Sequence, residues 1–293
     1  MSLNAFFDVP APAKLNLFLH VVGRRADGYH LLQSVFQLID WCDVLHFELR
    51  QDGSLVRHDL GLGLPADDLC LRAARLLQQQ SGTLLGADIS VDKQLPWGAG
   101  LGGGSSDAAS TLLALNRLWG LHWPRERLLG LGATLGADVP FFIGGHNAFV
   151  EGIGERLTPL LLPMQRYAVA KPAAALATTD IFASPALVRD SAPVILTGSF
   201  ASAEQRVALC NGFGRNDLQP VAEAHCPEVR TVADWLQGQF GNSRMTGSGS
   251  AVFARVGKED STVTTWPAIS LPSTWLARMC RSLDHHPLSG WAD

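Results

Sequence analysis

The sequence predicts a fold of mixed strands and helices, α+β in class. Three observations lead there. Within the first fifty residues Ala13–Val22 alternates apolar and polar side chains with period two and two further strand patterns follow it, and Ala/Leu-rich runs with helix-start and helix-stop residues come after. Between these, Leu95-Pro-Trp-Gly-Ala-Gly-Leu-Gly-Gly-Gly-Ser-Ser-Asp107 places five glycines and two serines just ahead of one such run.

Composition bounds the answer. At 293 residues and 31.5 kDa the chain has room for one large domain or two ordinary ones. With 47% hydrophobic and 17% charged residues it is compact and not disordered. No apolar run approaches the roughly 20 residues that cross a bilayer, and Met1–Asp8 lacks the basic start and apolar centre of a signal peptide, so the expected compartment is the cytoplasm with no membrane partner. Cys42, Cys70, Cys210, Cys226 and Cys280 are odd in number and scattered, which indicates neither a disulfide framework nor a zinc site. A formal net charge of −4 argues against nucleic acid and against broad attraction of an anionic substrate. Phosphate binding must then be local.

The elements follow in order. Ala13–Val22 alternates as a strand, with Leu15, Leu17, Leu19 and Val21 on one face and Lys14, Asn16, Phe18 and His20 on the other, so Lys14 and Asn16 point the same way. The polar turn Gly23–Gly28 leads to a second strand from about Leu31 to Ile39, leaving Tyr29 and His30 at the mouth of a hairpin. Asp43–Leu49 reads as a third strand. Asp67 and Asp68 cap a helix that runs to Leu77 and ends before Gly82. Asp88–Asp92 is a short strand ahead of the glycine loop, Ser105–Trp119 a helix stopped by Gly120, and Arg125–Leu135 a helix stopped by Gly136. Asp138 falls in an irregular segment before Pro140. A hairpin spans Asn147–Leu160 around Gly152-Ile-Gly154. A Pro- and Ala-rich zone from Leu162 then sets the boundary between domains 1–162 and 163–293. The second half shows a strand near Arg166–Ala170, a helix near Glu228–Gln239 and a strand-loop-strand pattern over Ser243–Val256, with no internal repeat.

The glycine loop carries the chemistry. Glycines let backbone approach an anion and adopt positive φ, and the start of a helix offers unpaired N–H groups, so the loop reads as a phosphate cradle for a nucleotide and not as a solvated linker. It is not a Walker A loop, which needs a lysine after its last glycine. Gly98, Gly100 and Gly103 satisfy Gly-x-Gly-x-x-Gly, but the acidic strand end required about 20 positions on is replaced by Leu121–Leu128, a helix start.

Pro96-Trp-Gly-Ala-Gly-Leu-Gly-Gly-Gly-Ser-Ser106 resembles the signature Pro-x-x-x-Gly-Leu-Gly-Ser/Gly-Ser-Ser of the GHMP kinase superfamily, with one more residue between Gly102 and Ser105. Pro12-Ala-Lys-Leu-Asn16, Arg25-Ala-Asp-Gly-Tyr-His30, Leu135-Gly-Ala-Asp-Val-Pro140 and Arg244-Met-Thr-Gly-Ser-Gly249 extend the likeness from about Pro12 to Leu288. They are similar to the branch of that superfamily that phosphorylates a cytidine-diphosphate-linked methylerythritol on its 2-hydroxyl, in the non-mevalonate route to isoprenoids. The resemblance implies a two-domain architecture: an N-terminal mixed α/β domain, a C-terminal ferredoxin-like domain, and a site between them for ATP, Mg²⁺ and a small-molecule acceptor. The expected assembly is a monomer or weak homodimer.

The resemblance also implies roles, each beside a plainer reading. Pro96, Trp97, Gly98, Ala99, Gly100, Leu101, Gly102, Gly103 and Gly104 wrap the ATP phosphates, with Ser105 and Ser106 offering hydroxyls to phosphate or Mg²⁺. Asp107 is read as favouring the helix dipole, and no protein ligand to a metal is assigned. Asp138 alone reads equally as a turn cap; the resemblance makes it the base that takes the acceptor's proton, paired with Lys14, which alone would read as an edge-strand residue. Asn16 then bonds substrate. Tyr29 and His30 alone would be packed or surface rings, and the resemblance assigns them, with Phe182, to the cytosine end, and Thr178 to the acceptor. Gly247 and Gly249 pack beside the nucleotide loop. Asn216-Asp-Leu218 also resembles the family and receives no chemistry, while Val188–Val207 departs from its pattern. Homoserine, mevalonate and sugar kinases of the superfamily compete with this reading, and Asp27-Gly-Tyr-His30 argues against them. A silent nucleotide-binding module competes too, and the intact Lys14 and Asp138 count against it.

Overall fold

The computed structural model describes residues 4–61, 63–195, 202–258 and 271–292. Strands β1 (Ala5–Arg24) and β2 (His30–Arg50) form a long antiparallel hairpin, and β4 (Gly86–Asp92) and β5 (Ala148–Gly152) share the other edge of β2. With β3 (Leu55–Asp59) and β6 (Arg156–Pro159) outermost, they make a six-stranded sheet. The strands predicted over Leu31–Ile39 and Asp43–Leu49 are one strand. Its register against β1 slips where Pro12 faces Cys42 and Ala13 faces Ile39, and this bulge reverses the alternation, which is why periodicity read a break there.

A second slip in β1, between Asn16 and Leu19, corrects the two predicted faces. Leu15, Leu17 and Phe18 share one apolar cluster with Tyr167 and Phe253, while Leu19 and Val21 join another with Ala168 and Leu236. Both faces of β1 are covered, so Lys14 and Asn16 are 3% and 1% exposed. Helices α1 (Leu69–Ser81) and α2 (Gly103–Leu118) pack on the first sheet, and α3 (Arg125–Leu135) packs on these helices. Asp68 caps α1 by accepting from the Leu71 N–H, and Gly82 closes it with φ 68°. The unanticipated α4 (Val139–Gly144) opens with Pro140 in its first turn, the one place where a helix tolerates proline.

The second sheet runs β10-β7-β9-β8, all antiparallel: β7 (Gln165–Lys171), β8 (Arg244–Met245), β9 (Val252–Lys258) and β10 (Leu276–Arg281). Four helices belong to this half: α5 (Thr178–Ala183), α6 (Ala203–Cys210), α7 (Gln219–His225) and α8 (Pro227–Phe240). Val229, Val232 and Leu236 of α8 bury themselves against Ala168, Ala170 and Ala254 of the sheet. One antiparallel sheet covered by helices is the α+β pattern expected of the second half. Among the described residues no helix is long and apolar enough to cross a membrane.

After β10 the chain returns to the first sheet. Leu283 N–H donates to Leu38 O at 2.8 Å, Leu288 and Ala292 sink into the first core, and Trp291 meets Phe6 at 4.5 Å between ring centroids. Arg125 clamps this tail, donating to Ala292 O at 2.5 Å and also to the carbonyls of Ser289 and Ile143. Arg125→Ala should lower stability to urea by about 2 kcal/mol, the scale of hydrogen bonds made by a charged group. Removing residues 290–293 should cost a similar amount, and combining the two changes should add little. Full additivity would show that Arg125 does not act through the tail.

Candidate active site

The two halves enclose a cavity of about 800 Å³ whose wall includes Lys14, Asn16, Tyr29, His30, Asp138, Thr178 and Phe182. A smaller one of about 390 Å³ opens on the far side of the glycine loop, against Leu69, Lys93, Trp97 and Ser105. Gly98, Gly100 and Gly102 border both.

Each of those glycines has positive φ, at 57°, 72° and 76°. Gly100 also needs its missing side chain: a Cβ there would lie 2.1 Å from Thr246 O. From the other side a Cβ on Gly247 would lie 2.9 Å from Gly100 Cα, so the two loops meet backbone to backbone. Ser250 and Ala251 N–H groups bond Gly98 O and Ala99 O at 3.0 and 3.2 Å, and Lys14 N–H bonds Leu101 O at 2.9 Å. Ala99 and Leu101 side chains point into the core, holding the loop. Helix α2 starts at once after Gly102 and has no side-chain cap, which leaves its first N–H groups free for an anion. Ser105 lines the smaller cavity with Pro96, Trp97, Gly103 and Gly104. The expectation for Ser106 is corrected: its hydroxyl is wholly buried, has no partner among the described residues and borders neither cavity.

Lys14 Nζ stands 3.6 Å from Asp138 Oδ2 and donates to Asn16 Oδ1 at 2.6 Å. Burial lowers the Lys14 pKa, and the Asp138 charge opposes that without reversing it. Asp138 immediately precedes α4 yet makes no capping bond, so the turn-cap reading fails and the carboxylate is left to face Lys14. Asn16 Oδ1 also accepts from the Gly247 N–H at 2.9 Å, and Asn16 Nδ2 donates to Ser34 Oγ at 2.9 Å. The amide expected to bond substrate is therefore held chiefly by protein, at the wall of the larger cavity.

Across that cavity Tyr29 is 61% exposed at the hairpin mouth, and the rings of His30 and Phe182 lie 5.0 Å apart, tilted by 33°. Thr178 shares a 2.8 Å bond with Ser248 Oγ, which ties α5 to the Gly247 loop. Two neighbours escaped the sequence reading. Arg189 donates from Nε to His30 Nε2 at 3.0 Å. Lys93 sits between two buried carboxylates, bonding Asp107 Oδ2 at 2.6 Å and Asp43 still more closely. This corrects Asp107, whose carboxylate serves an ion pair and not the helix dipole. Burial above all, with the Asp43 charge, raises the Asp107 carboxyl pKa, and Lys93 opposes that rise without cancelling it. Only the spacing of Asp43, Lys93 and Asp107 around a bulge and a loop made them neighbours, and no local pattern signals it.

The model of GHMP kinases N terminal domain matches residues 68–146, and that of GHMP kinases C terminal matches 192–263. A 4-diphosphocytidyl-2-C-methyl-D-erythritol kinase of Methylibium petroleiphilum is 65% identical over 293 residues, covering 100% of both chains. One of Polaromonas sp. is 56% identical, over 99% of this chain and 95% of its own. A crystal structure of 4-(cytidine 5'-diphospho)-2C-methyl-D-erythritol kinase superposes with TM-score 0.71 at 35% identity, covering 87% of this chain and 90% of that one.

Lys93→Met would strand Asp43 and Asp107 together. An acid whose folded pKa is raised favours its protonated form on folding, so the stability it allows is greatest at low pH and is lost as pH rises from about 4, where it titrates unfolded, toward the raised value. The variant's deficit in Tm should therefore be larger at pH 8 than at pH 5. Equal deficits at the two pH values would remove the buried-carboxylate account.

Proposed function

We propose how this chain, which belongs to the 4-diphosphocytidyl-2-C-methyl-D-erythritol kinases of the GHMP kinase family, uses its two cavities. It transfers the γ-phosphoryl group of ATP to the 2-hydroxyl of 4-diphosphocytidyl-2-C-methyl-D-erythritol, a step of the non-mevalonate isoprenoid pathway. The nucleotide takes the smaller cavity and the acceptor the larger. The observation that carries this assignment is the glycine loop bordering both, with Lys14 and Asp138 on the acceptor side.

The free N–H groups at the start of α2, with Ser105, receive the phosphates. Mg²⁺ would supply charge neutralisation at the phosphates there, with the Ser105 hydroxyl as the protein group at the smaller cavity that would help hold it. Asp138 accepts the proton of the attacking 2-hydroxyl, and Lys14 beside it stabilises the developing negative charge. Lys14 is fixed by Asn16 and by the ring of Phe36, 4.6 Å from its ammonium, so it cannot drift toward solvent. Tyr29 and Phe182 stack on cytosine, His30 reads its edge, and Thr178 positions the methylerythritol end. The site is complete within one chain, so a monomer or a weak homodimer can work, and we place the reaction in the cytoplasm. The domain boundary lies near 162, in the link between β6 and β7.

Asp138→Asn should cut kcat by about 10²–10⁴, the range for a positioned base, while calorimetry with a non-hydrolysable ATP analogue shows unchanged binding. Near-normal turnover of the folded variant would take the proton transfer away from Asp138. Tyr29→Ala should raise acceptor KM by roughly ten- to a hundredfold through lost stacking, with ATP KM little changed. Removing the cytidine and supplying methylerythritol phosphate alone should be worse still; equal turnover of the two acceptors would refute the cytidine reading.

A further inference from the structure

We propose that Arg189 is a positioning residue: it fixes the ring proton of His30 on Nδ1, so that His30 meets the acceptor's base as a neutral hydrogen-bond donor. The proposal rests on the cytidine reading given above. Arg189 lies in the segment whose sequence departs from the family pattern, residues 188–207, of which 196–201 fall outside the described residues.

The geometry leaves one arrangement. A guanidinium only donates, so the 3.0 Å contact from Arg189 Nε requires His30 Nε2 to carry a lone pair. The single hydrogen of a neutral ring must then sit on Nδ1. A second proton on Nε2 would set N–H against N–H of a permanent cation. Arg189 cannot turn away to relieve it, because Nη1 holds Leu187 O at 2.9 Å and Nη2 holds Ser184 O at 2.7 Å and Phe182 O at 3.2 Å. Those carbonyls lie at and beyond the end of α5, past the helix's own run of hydrogen bonds. One side chain thus sets the Phe182 backbone and the His30 ring together, and the two rings meet at 5.0 Å.

The mount itself is anchored. Two residues on, Ser191 N–H bonds Val21 O at 3.0 Å and its hydroxyl donates to Asp217 Oδ2 at 2.6 Å; Asp217 in turn accepts from the Val21 N–H at 2.8 Å. Asn216-Asp-Leu218, which received no chemistry from the sequence, so becomes the post on which the Arg189 segment hangs.

Electrostatics agrees. The charged groups acting on His30 are Arg189 and Arg24, from the segment after α5 and from the end of β1, and both, after burial, lower its pKa. Asp27 in the adjoining turn is spent on Arg25, 2.8 Å away. Cytosine presents acceptors at N3 and O2, and a neutral ring with its hydrogen on Nδ1 supplies the matching donor.

The test compares acceptor KM from about pH 5.5 to 8.5, across the range where a free histidine titrates, in wild type and Arg189→Met. Wild type should be flat. In Arg189→Met the ring titrates and changes tautomer, so KM should rise about tenfold at high pH and recover as acid puts a hydrogen on both nitrogens, with kcat and ATP KM unchanged. In a His30→Phe background the pH-dependent part of the Arg189→Met effect should vanish, leaving only a pH-independent loss through the Phe182 carbonyl that Arg189 no longer holds. A rise in Arg189→Met that is equal at every pH while His30 is present would overturn the proposal, since Arg189 would then act without the His30 ring. A readout independent of folding variants is the ¹⁵N shift of His30 in the ligand-free wild type: Nε2 should resonate as unprotonated and Nδ1 as protonated, and the reverse would overturn it. If wild type turns over methylerythritol phosphate as well as the full acceptor, the cytidine reading fails, whatever the ¹⁵N result says of Arg189.

Discussion

Asn16 sits at 1% exposure in the middle of β1, and its amide joins three structures that share no sequence neighbourhood. Oδ1 accepts from Lys14 Nζ on its own strand and from the Gly247 N–H of the second half, while Nδ2 donates to Ser34 on β2; the backbone N–H of Asn16 reaches Thr246 Oγ1 at 3.0 Å. A buried amide left unpaired costs about 1–3 kcal/mol, so each partner is held in place by the penalty for leaving. Lys14 therefore keeps its distance to Asp138, and the Gly247 loop keeps its seat on Gly100.

That seat holds the glycine loop in one conformation despite its many glycines. A loop with so little side-chain mass would pay a large conformational entropy to order itself on a ligand. Here the ordering is already done: Thr246 O fills the space where a Gly100 Cβ would stand, and Ser250 and Ala251 bond the loop's carbonyls from outside. Asn216 extends the same support, donating to Met245 O at 2.7 Å and to Gly247 O at 2.8 Å. Its neighbour Asp217 holds the Arg189 segment, so the glycine loop and the His30 end of the cleft share one buried post.

What the sequence made legible follows from where each signal lives. The helix Arg125–Leu135, the hairpin over Asn147–Leu160 and the strand near Arg166 were readable because their signals are local: a glycine stop, a Gly-x-Gly turn, an apolar run. The glycine loop and the Lys14–Asp138 pair were readable through motif spelling. The bulges at Pro12 and Asn16 were not, since they come from pairing between strands: the first read only as a gap between two strands, and the second reverses an alternation that looks continuous along β1. Arg189 and Lys93 were invisible for a related reason. Each is defined by partners far along the chain, His30 at a separation of 159 residues and Asp43 at 50, and lone basic residues carry no pattern.

In the mechanism proposed for this site, the Lys14–Asp138 pair can act because it is both buried and imperfectly matched. At 3.6 Å two unit charges attract by about 4–5 kcal/mol at an effective dielectric of 20, yet burial still drives the Lys14 pKa below its ordinary value. Desolvation thus exceeds what Asp138 returns, and the ammonium is left under-compensated. Asp138, with 30% of its side chain exposed to the cleft, keeps the solvent access that a proton acceptor needs. Any negative charge that develops on the acceptor oxygen or on the transferring phosphoryl group supplies the compensation that Asp138 alone does not, and supplies it most fully when Asp138 takes up the proton and loses its charge. On the proposed roles, the attraction of Lys14 for the reacting atoms therefore grows along the reaction path, which is the condition for stabilising a transition state more than a bound substrate.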